Sequence, residues 1–134
     1  MPVEADLVAY LDPLVSETAG TDLFEGPIPE LPNACVVLQH TGGQDGEYVM
    51  GPSLTTPDLE RVRVQLMVRN PAKATAVSRA NAVHALLDNL GPVTLSTRLY
   101  HRVHSIDGPP HSLGQDVNLR WRLVANYEIE KARG

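Results

Sequence analysis

The sequence predicts an α+β fold in which an antiparallel sheet of about four strands packs two helices on one of its faces. Stretches such as RVRVQLMVRN at 61–70 alternate strictly between polar and apolar residues, which is typical of a half-buried strand. Between these stretches lie segments whose apolar residues recur at helical spacing. A chain of 134 residues is long enough for one substantial core, so we expect a single domain over 1–134.

The composition limits the classes of protein to consider. A formal net charge of -5 argues against wholesale wrapping of nucleic acid. Cys35 is the single cysteine, so no internal disulfide can form; we expect it in the core of a protein made in a reducing cytoplasm. No apolar run approaches the roughly 18 residues of a membrane span, and the N-terminus is acidic where a signal peptide is basic.

The chain up to residue 58 contains one predicted helix and one predicted strand. Apolar residues at helical spacing predict a helix from residue 3, with a kink at Pro13 and a second short turn that ends at Gly20. The proline-rich segment 21–33 is predicted to be an extended connector without regular structure. A buried strand follows at 34–40, and the Gly-, Pro- and Thr-rich segment 41–58 is predicted to be a long hairpin loop.

The strand at 61–70 should have one buried face and one solvent face. Its apolar face carries Val62, Val64, Leu66 and Val68, and its other face carries Arg61, Arg63, Gln65, Met67 and Arg69. Asn70-Pro71 then provides a helix cap and Gly91-Pro92 a stop, so these dipeptides bracket a predicted helix of about five turns. Its predicted buried stripe is Ala76, Ala80, Val83, Leu87 and Leu90.

The last third of the chain predicts more strands. Segment 93–106 should form a strand pair or one interrupted strand, and 107–116 should form a loop. A long final strand is predicted over 117–130. Its apolar face would carry Val117, Leu119, Trp121, Leu123, Ala125, Tyr127 and Ile129, and its polar face Asn118, Arg120, Arg122, Asn126, Glu128 and Glu130.

No motif predicts a catalytic, cofactor or metal site. His101 and His104 are three residues apart on a strand and therefore point to opposite faces, where they cannot share a metal ion. The glycines of GGQDG lack the GK[ST] sequence and the helix that a phosphate-binding loop requires. No GxSxG elbow is present.

The remaining constellation is a face rich in arginine. If the strands at 60–69 and 117–130 are neighbours, their solvent side carries Arg61, Arg63, Arg69, Arg120, Arg122, Glu128 and Glu130. One interpretation is cross-strand ion pairing within the sheet, and the other is a subunit interface or the wall of a channel. A nucleic-acid reader is disfavoured, because Trp121 and Tyr127 fall on the apolar side and no aromatic residue remains to stack a base.

The order of these elements resembles the minor capsid or tail terminator proteins of long-tailed bacteriophages. The similarity covers VEADLVAYL, LPNACVVLQHTGG, the segment 57–91 and IDGPPHSLGQDVNLRWRLVANYEI. Val68-Arg69-Asn70-Pro71 matches the strand-to-helix corner of that family, Gly108-Pro109 its loop, and Asn126 the polar position of its last strand. The doubled Pro109-Pro110 and the long segment 41–58 depart from the family pattern.

The resemblance implies a virion structural protein without enzymatic activity and without a cofactor. Such a protein forms a ring, usually a homohexamer, at the head-proximal end of the tail tube. The ring stops tube polymerisation and joins the head completion or connector protein. DNA would pass through the assembly without sequence-specific binding, no membrane would be involved, and the protein would be located in the virion tail after assembly in the host cytoplasm.

Three alternatives remain open at the level of sequence. The first is a head–tail connector or stopper protein. The second is a small nucleic-acid-binding domain that uses the arginine-rich face, and its affinity would fall steeply with salt. The third is a small enzyme that uses His101, His104 or Asp107 and that would require a large pocket with perturbed titrating groups.

Overall fold

The computed structural model describes residues 3–15, 19–30, 33–47, 59–95 and 98–132. Seven strands form one mixed sheet that curls into a half-barrel, and two helices accompany it. The elements in chain order are α1 (Val3–Leu11), β1 (Leu23–Glu25), β2 (Cys35–Glu47), β3 (Leu59–Asn70), α2 (Lys73–Leu87), β4 (Val93–Leu95), β5 (Arg98–Ser105), β6 (His111–Gln115) and β7 (Trp121–Ala132).

The prediction of an antiparallel, four-stranded sheet is wrong. The strand order is β1-β2-β3-β7-β5-β4, and β6 also pairs with β7. The β1–β2 pair is parallel, whereas the other pairs are antiparallel. On the side of β7 away from β3, β5 occupies residues 127–131 and β6 occupies residues 121–124. These two strands therefore extend the sheet along different halves of the same neighbour.

Segments that were predicted to be loops supply the additional strands. The connector 21–33 contains β1, and the loop 107–116 contains β6. The strand predicted at 34–40 continues as β2 to Glu47, because bulges after His40 and after Gln44 keep it paired with β3. The rest of the predicted loop at 41–58 lies outside the described residues from position 48 onwards.

Both predicted helices are present but shorter than expected. Helix α1 ends at Leu11, and the Asp12 carboxylate accepts a hydrogen bond from the backbone N–H of Ala19 at 2.8 Å. Part of the second turn predicted up to Gly20 lies outside the described residues. Helix α2 has 15 residues and its N-cap residue is Ala72, which has no side-chain capping bond, so the predicted cap at Asn70 is wrong. Asn70 Oδ1 instead accepts from the Ala72 N–H and fixes the turn before the helix.

The inner face of the sheet and one stripe of each helix form a single apolar cluster. In β3, Val64, Leu66 and Val68 are fully buried, and Val62 packs at the edge of the cluster. The predicted α2 stripe is buried at Ala76, Ala80, Val83 and Leu87, and Leu90 packs partly buried against it. The Tyr100 hydroxyl donates to Asp6 Oδ2 at 2.5 Å inside this region, so a buried polar contact ties α1 to β5.

The final strand begins four residues later than predicted. Residues 116–119 form a turn, in which Leu119 N donates to the Asp116 carbonyl and Asp116 Oδ1 accepts from the backbone N–H groups of Asn118 and Arg120 at 2.9 and 3.0 Å. Val117 and Leu119 are consequently 95% and 69% exposed instead of lying on the apolar face. The alternation from Leu123 to Ile129 is confirmed, although Val124 on the opposite face is also buried.

Candidate functional site

Charged side chains gather on the outer face of the sheet, opposite the helices. The register places Arg61 of β3 beside Glu130 of β7, and Arg63 beside Glu128. Gln65 is the next outward residue along β3, and it lies beside Asn126. We call the surface formed by Arg61, Arg63, Gln65, Asn126, Glu128 and Glu130, with two β5 residues described below, the polar outer face.

The arginines of the polar outer face are paired within the chain. Arg61 Nη2 lies 3.6 Å from Glu130 Oε1, and Arg61 Nε lies 4.0 Å from Glu128 Oε1. Arg63 Nε lies 3.9 Å from Glu128 Oε2, while about half of the Arg63 side chain is exposed. Partly exposed pairs of this kind contribute roughly 0.2–1 kcal/mol each. They neutralise charge on the face more than they hold the fold together.

Two residues of β5 complete the face, and neither was predicted to belong to it. The register brings Arg102 beside Glu130 and His104 beside Glu128, so each glutamate of β7 lies between basic side chains on both flanking strands. The alternation around the buried Val103 is visible in the sequence. What the sequence lacks is a sign that β5 is the neighbour of β7.

The sequence predicted that Arg69 and Arg120 line the solvent side of the sheet, but both side chains are buried. They are only 3% and 5% exposed. Arg69 Nη2 donates to the backbone carbonyl of Glu30 at 3.2 Å, and Arg120 Nη1 donates to the same oxygen at 2.7 Å. Two guanidinium groups therefore hold the connector between β1 and β2 against the sheet.

Arg120 also fixes the turn that precedes β7. Its Nε donates to Asp116 Oδ2 at 2.8 Å, and its Nη1 reaches Asn33 Oδ1 at 3.4 Å. Burial disfavours ionisation of Asp116, but hydrogen bonds from Arg120 and Asn118 outweigh this effect and lower its pKa. One side chain thus joins the connector to the turn at 116–119.

Arg122 lies apart from both groups. It stands beside Arg69 in β3 on one side and beside Gly114 of β6 on the other. Among the described residues it forms no ion pair, and its Nε is buried without a hydrogen-bond partner. Of the seven predicted site residues, the structure therefore groups Arg61, Arg63, Glu128 and Glu130, and it separates Arg69, Arg120 and Arg122 from them.

The loop after β5 is anchored on the polar outer face by Asn126. The Asn126 Nδ2 and backbone N–H donate to the Asp107 carboxylate at 2.9 and 3.3 Å. Gln65 Nε2 donates to Asn126 Oδ1 at 3.4 Å. Burial of Asp107 disfavours its charge, but the bonds from Asn126 and the proximity of His111 dominate and lower its pKa.

This lowered pKa predicts a contribution to acid sensitivity. A carboxyl with a depressed folded-state pKa stabilises the fold above its unfolded pKa of about 3.9, and the contribution is lost as the pH falls through the folded value. We expect the stability of Asp107→Asn to fall less steeply than that of the wild type below pH about 4. Urea midpoints measured across this range test the prediction, and parallel curves for the two proteins would contradict it.

His84 and Tyr127 form a second polar contact, between α2 and β7. His84 Nδ1 lies 2.6 Å from the Tyr127 hydroxyl, and its Nε2 lies 3.8 Å from Asp88 Oδ2. Asp88 Oδ1 accepts from the Ser105 backbone N–H at 3.0 Å. Burial raises the pKa of Tyr127, with Asp88 and Asp107 adding to the effect, so the hydroxyl stays protonated. The contact joins the C-terminal end of α2 to the sheet.

The three residues named by the enzyme hypothesis occupy structural or surface positions. His104 belongs to the polar outer face, Asp107 anchors the loop, and His101 is exposed on β5. Within the described part of the chain, no three His, Cys, Asp or Glu side chains are close enough to hold a metal ion. No helix in this part is long and apolar enough to cross a membrane.

Comparison with known proteins assigns the chain to a family. A sequence model described as bacteriophage tail terminator protein matches residues 10–133, which is most of the chain. A chain in the structure "Virion of native gene transfer agent (GTA) particle" shares the fold, with a TM-score of 0.56 and 17% identity over 99% of this chain and 87% of that one. No curated protein matches.

The family match covers the corner at Val68-Arg69-Asn70-Pro71, the Gly108-Pro109 loop and Asn126, the positions that carry the resemblance in the sequence. In the structure, Asn70 accepts a hydrogen bond from Ala72 in the turn before α2, and Asn126 holds the loop through Asp107. The chain belongs to the bacteriophage tail terminator protein family and is a structural protein of the virion tail.

Proposed function

We propose that this protein ends the tail tube by forming a ring, a homohexamer, at its head-proximal end, where it stops tube polymerisation and joins the head completion or connector protein. The observation that carries the proposal is the match to the tail terminator family over residues 10–133. Its role is structural, without catalysis. Light scattering of the protein, alone and with tail tube protein, tests it; a protein that stays monomeric and never associates with tubes would refute it.

The polar outer face supports this role as a subunit boundary or as the wall of the ring lumen. In a closed cyclic ring each contact joins two different surfaces, so charged groups on one surface need complements on the next. Arg61, Arg63, Glu128 and Glu130 form an alternating pattern that such a surface can match. Because the glutamates neutralise the arginines, the same pattern favours passage of DNA without tight or sequence-specific binding.

Reversal of one charge on this face should disturb assembly without unfolding the subunit. In Arg63→Glu, a carboxylate faces Glu128 across the strands, and we expect a loss of at most about 1 kcal/mol in the free energy of unfolding. Ring formation should weaken, because the charge pattern offered to the neighbour or the lumen is inverted. Light scattering measures the ring, and thermal melting measures the subunit.

Arg79→Glu provides the control, because Arg79 lies on α2 beside the groove next to Leu14, away from the polar outer face. The double variant Arg63→Glu/Glu128→Arg separates two causes. It restores the pair within the chain, so recovery of ring formation would assign the effect to that pair. Unchanged ring formation by Arg63→Glu alone would remove the polar outer face from the assembly.

A further inference from the structure

Strand β6 is an edge strand with no covering element in the described part of the chain. It pairs with β7 on one side, and no described strand pairs with its other side. Its residues His111, Ser112, Leu113 and Gln115 are all exposed, so both of its faces are open to solvent. An open edge offers unpaired backbone N–H and C=O groups to another chain.

The surroundings of β6 hold most of the exposed apolar side chains. Seven large hydrophobic residues are exposed among the described residues, and four of them lie between 106 and 119. These four are Ile106, Leu113, Val117 and Leu119, with exposures of 47%, 48%, 95% and 69%. A bulge between Ser112 and Gly114 leaves Leu113 without a partner in β7. Clustered apolar exposure of this kind marks an interaction surface.

Charge is divided unevenly between the two parts of the sequence. Residues 1–60 contain eleven acidic side chains and no lysine or arginine, whereas residues 61–134 contain all eleven lysines and arginines and five acids. The first part includes β1 and β2, and Glu25 of β1 is exposed. Glu30 lies in the connector, where its carboxylate contacts Arg120 and Asn118 of the same chain. The second part includes β6, beside which lie Arg122 and, over the Trp121 ring, the ammonium of Lys73. The β1–β2 end of the sheet therefore presents the exposed carboxylate of Glu25, while Arg122 beside β6 forms no ion pair among the described residues.

The strand directions allow the two ends to meet in a ring. Strand β6 runs parallel to β3, because both are antiparallel to β7, whereas β1 and β2 run opposite to β3. Rotation about a ring axis preserves the direction of every strand along that axis. The β6 edge of one copy would therefore meet the β1–β2 edge of the next in antiparallel orientation, as a heterologous contact requires two different surfaces.

We propose that β6 and the turn at 116–119 dock onto the β1–β2 edge of a second copy of this chain, with Arg122 facing the neighbour's Glu25. This inference rests on the ring in the proposed function and specifies its subunit contact. Apolar contact by Leu113 and Val117 supplies affinity, and the charge division sets which end meets which.

Aspartate substitutions in β6 and its turn test the contact. We expect Leu113→Asp and Val117→Asp to weaken subunit association by about tenfold or more, while the exposed positions leave subunit folding intact. Val77→Asp is the matched control, because Val77 is an exposed apolar residue on α2. Hydrogen exchange of the peptide 111–119 should slow on ring formation, and unchanged exchange would contradict the docking.

Charge reversal tests the choice of partner. Arg122→Glu and Glu25→Arg should each weaken association, and an equimolar mixture of the two single variants should restore rings of alternating copies, since every contact then pairs opposite charges. The double variant should regain association, since each contact then pairs the exchanged charges. Failure of the double variant to improve on both single variants would refute a contact between Arg122 and Glu25.

The outcomes separate this inference from the proposed function. If the wild type caps tubes and the aspartate variants form rings equally well, the β6 contact is wrong and the proposed function stands. If those variants form rings but no longer cap tubes, the occupant of β6 is the tube protein and the second-copy contact is refuted. If the wild type neither forms rings nor caps tubes, the proposed function itself fails.

Discussion

Replacement of Arg120 with methionine should lower the free energy of unfolding by about 3 kcal/mol. Methionine retains most of the buried stem but removes a guanidinium that donates to the Glu30 carbonyl at 2.7 Å and to Asp116 at 2.8 Å. Both the connector and the turn at 116–119 lose an anchor in one step. Urea denaturation of the purified subunit measures the loss.

Arg63→Met is the matched comparison for this prediction. Arg63 lies in β3 and pairs with Glu128, but half of its side chain is exposed. Its removal should therefore cost less than about 1 kcal/mol. Equal losses for the two variants would mean that the connector is not held by the buried arginine. A fall in the denaturant slope of Arg120→Met alone would instead indicate a change in the extent of unfolding.

Replacement of Gly91 with alanine should destabilise the fold by roughly 3 kcal/mol, through backbone strain and a steric clash together. Gly91 has a φ of +118°, a region that side chains rarely adopt. An added Cβ would lie 2.7 Å from the carbonyl oxygen of His101 and 3.2 Å from the Arg102 Cα. Because both neighbours are backbone atoms of β5, the strand itself would have to move.

Gly26→Ala separates the two contributions. Gly26 has a φ of +90°, but an added Cβ there would meet no atom within 4 Å. The Gly26→Ala substitution should lower the free energy of unfolding by about 1 kcal/mol, from backbone strain alone. Thermal melting of both variants measures the difference. If Gly91→Ala is no more destabilising than Gly26→Ala, the close approach of Gly91 to the backbone of β5 does not constrain the fold.

Local patterns predicted the elements that are long and strongly periodic. The alternation of 61–70 identified β3 and its buried face, and the Asn70-Pro71 corner located the start of the helical segment. Strands β1 and β6 have three and five residues, too few for periodicity to distinguish them from loops. Their pairing with β2 and β7 is a long-range property of the fold. The sheet was therefore predicted with too few strands and without its parallel pair.

The same limit applies to the candidate site. Parity alone placed Arg61, Arg63, Glu128 and Glu130 on one face, and the register brings them together. Parity did not show that the connector covers Arg69 and Arg120, because residues 26–33 carry no regular pattern. It also did not show that β5 adds Arg102 and His104, since this requires knowing the order of strands. Contacts between segments far apart in sequence account for each of these differences.

The resemblance to the tail terminator family predicted the functional class, which the residue patterns alone left open. Its motifs are structural positions, and the family match over 10–133 confirms it. The polar chemistry of the fold is consistent with such a role: Asn126, Arg120 and His84 each join separate segments of the chain. These contacts hold the end of α2, the connector and the loop after β5 against the sheet.

Electron microscopy of tail tube protein polymerised with and without this protein tests whether the protein ends the tube. We expect tubes that carry a ring of this protein at one end only and that no longer grow from that end when more tube protein is added. Arg63→Glu and Leu113→Asp should reduce the fraction of capped ends, whereas Val77→Asp should not. Tubes that keep growing from both ends in the presence of excess protein, with no added density at either end, would contradict a role of this protein in ending the tube.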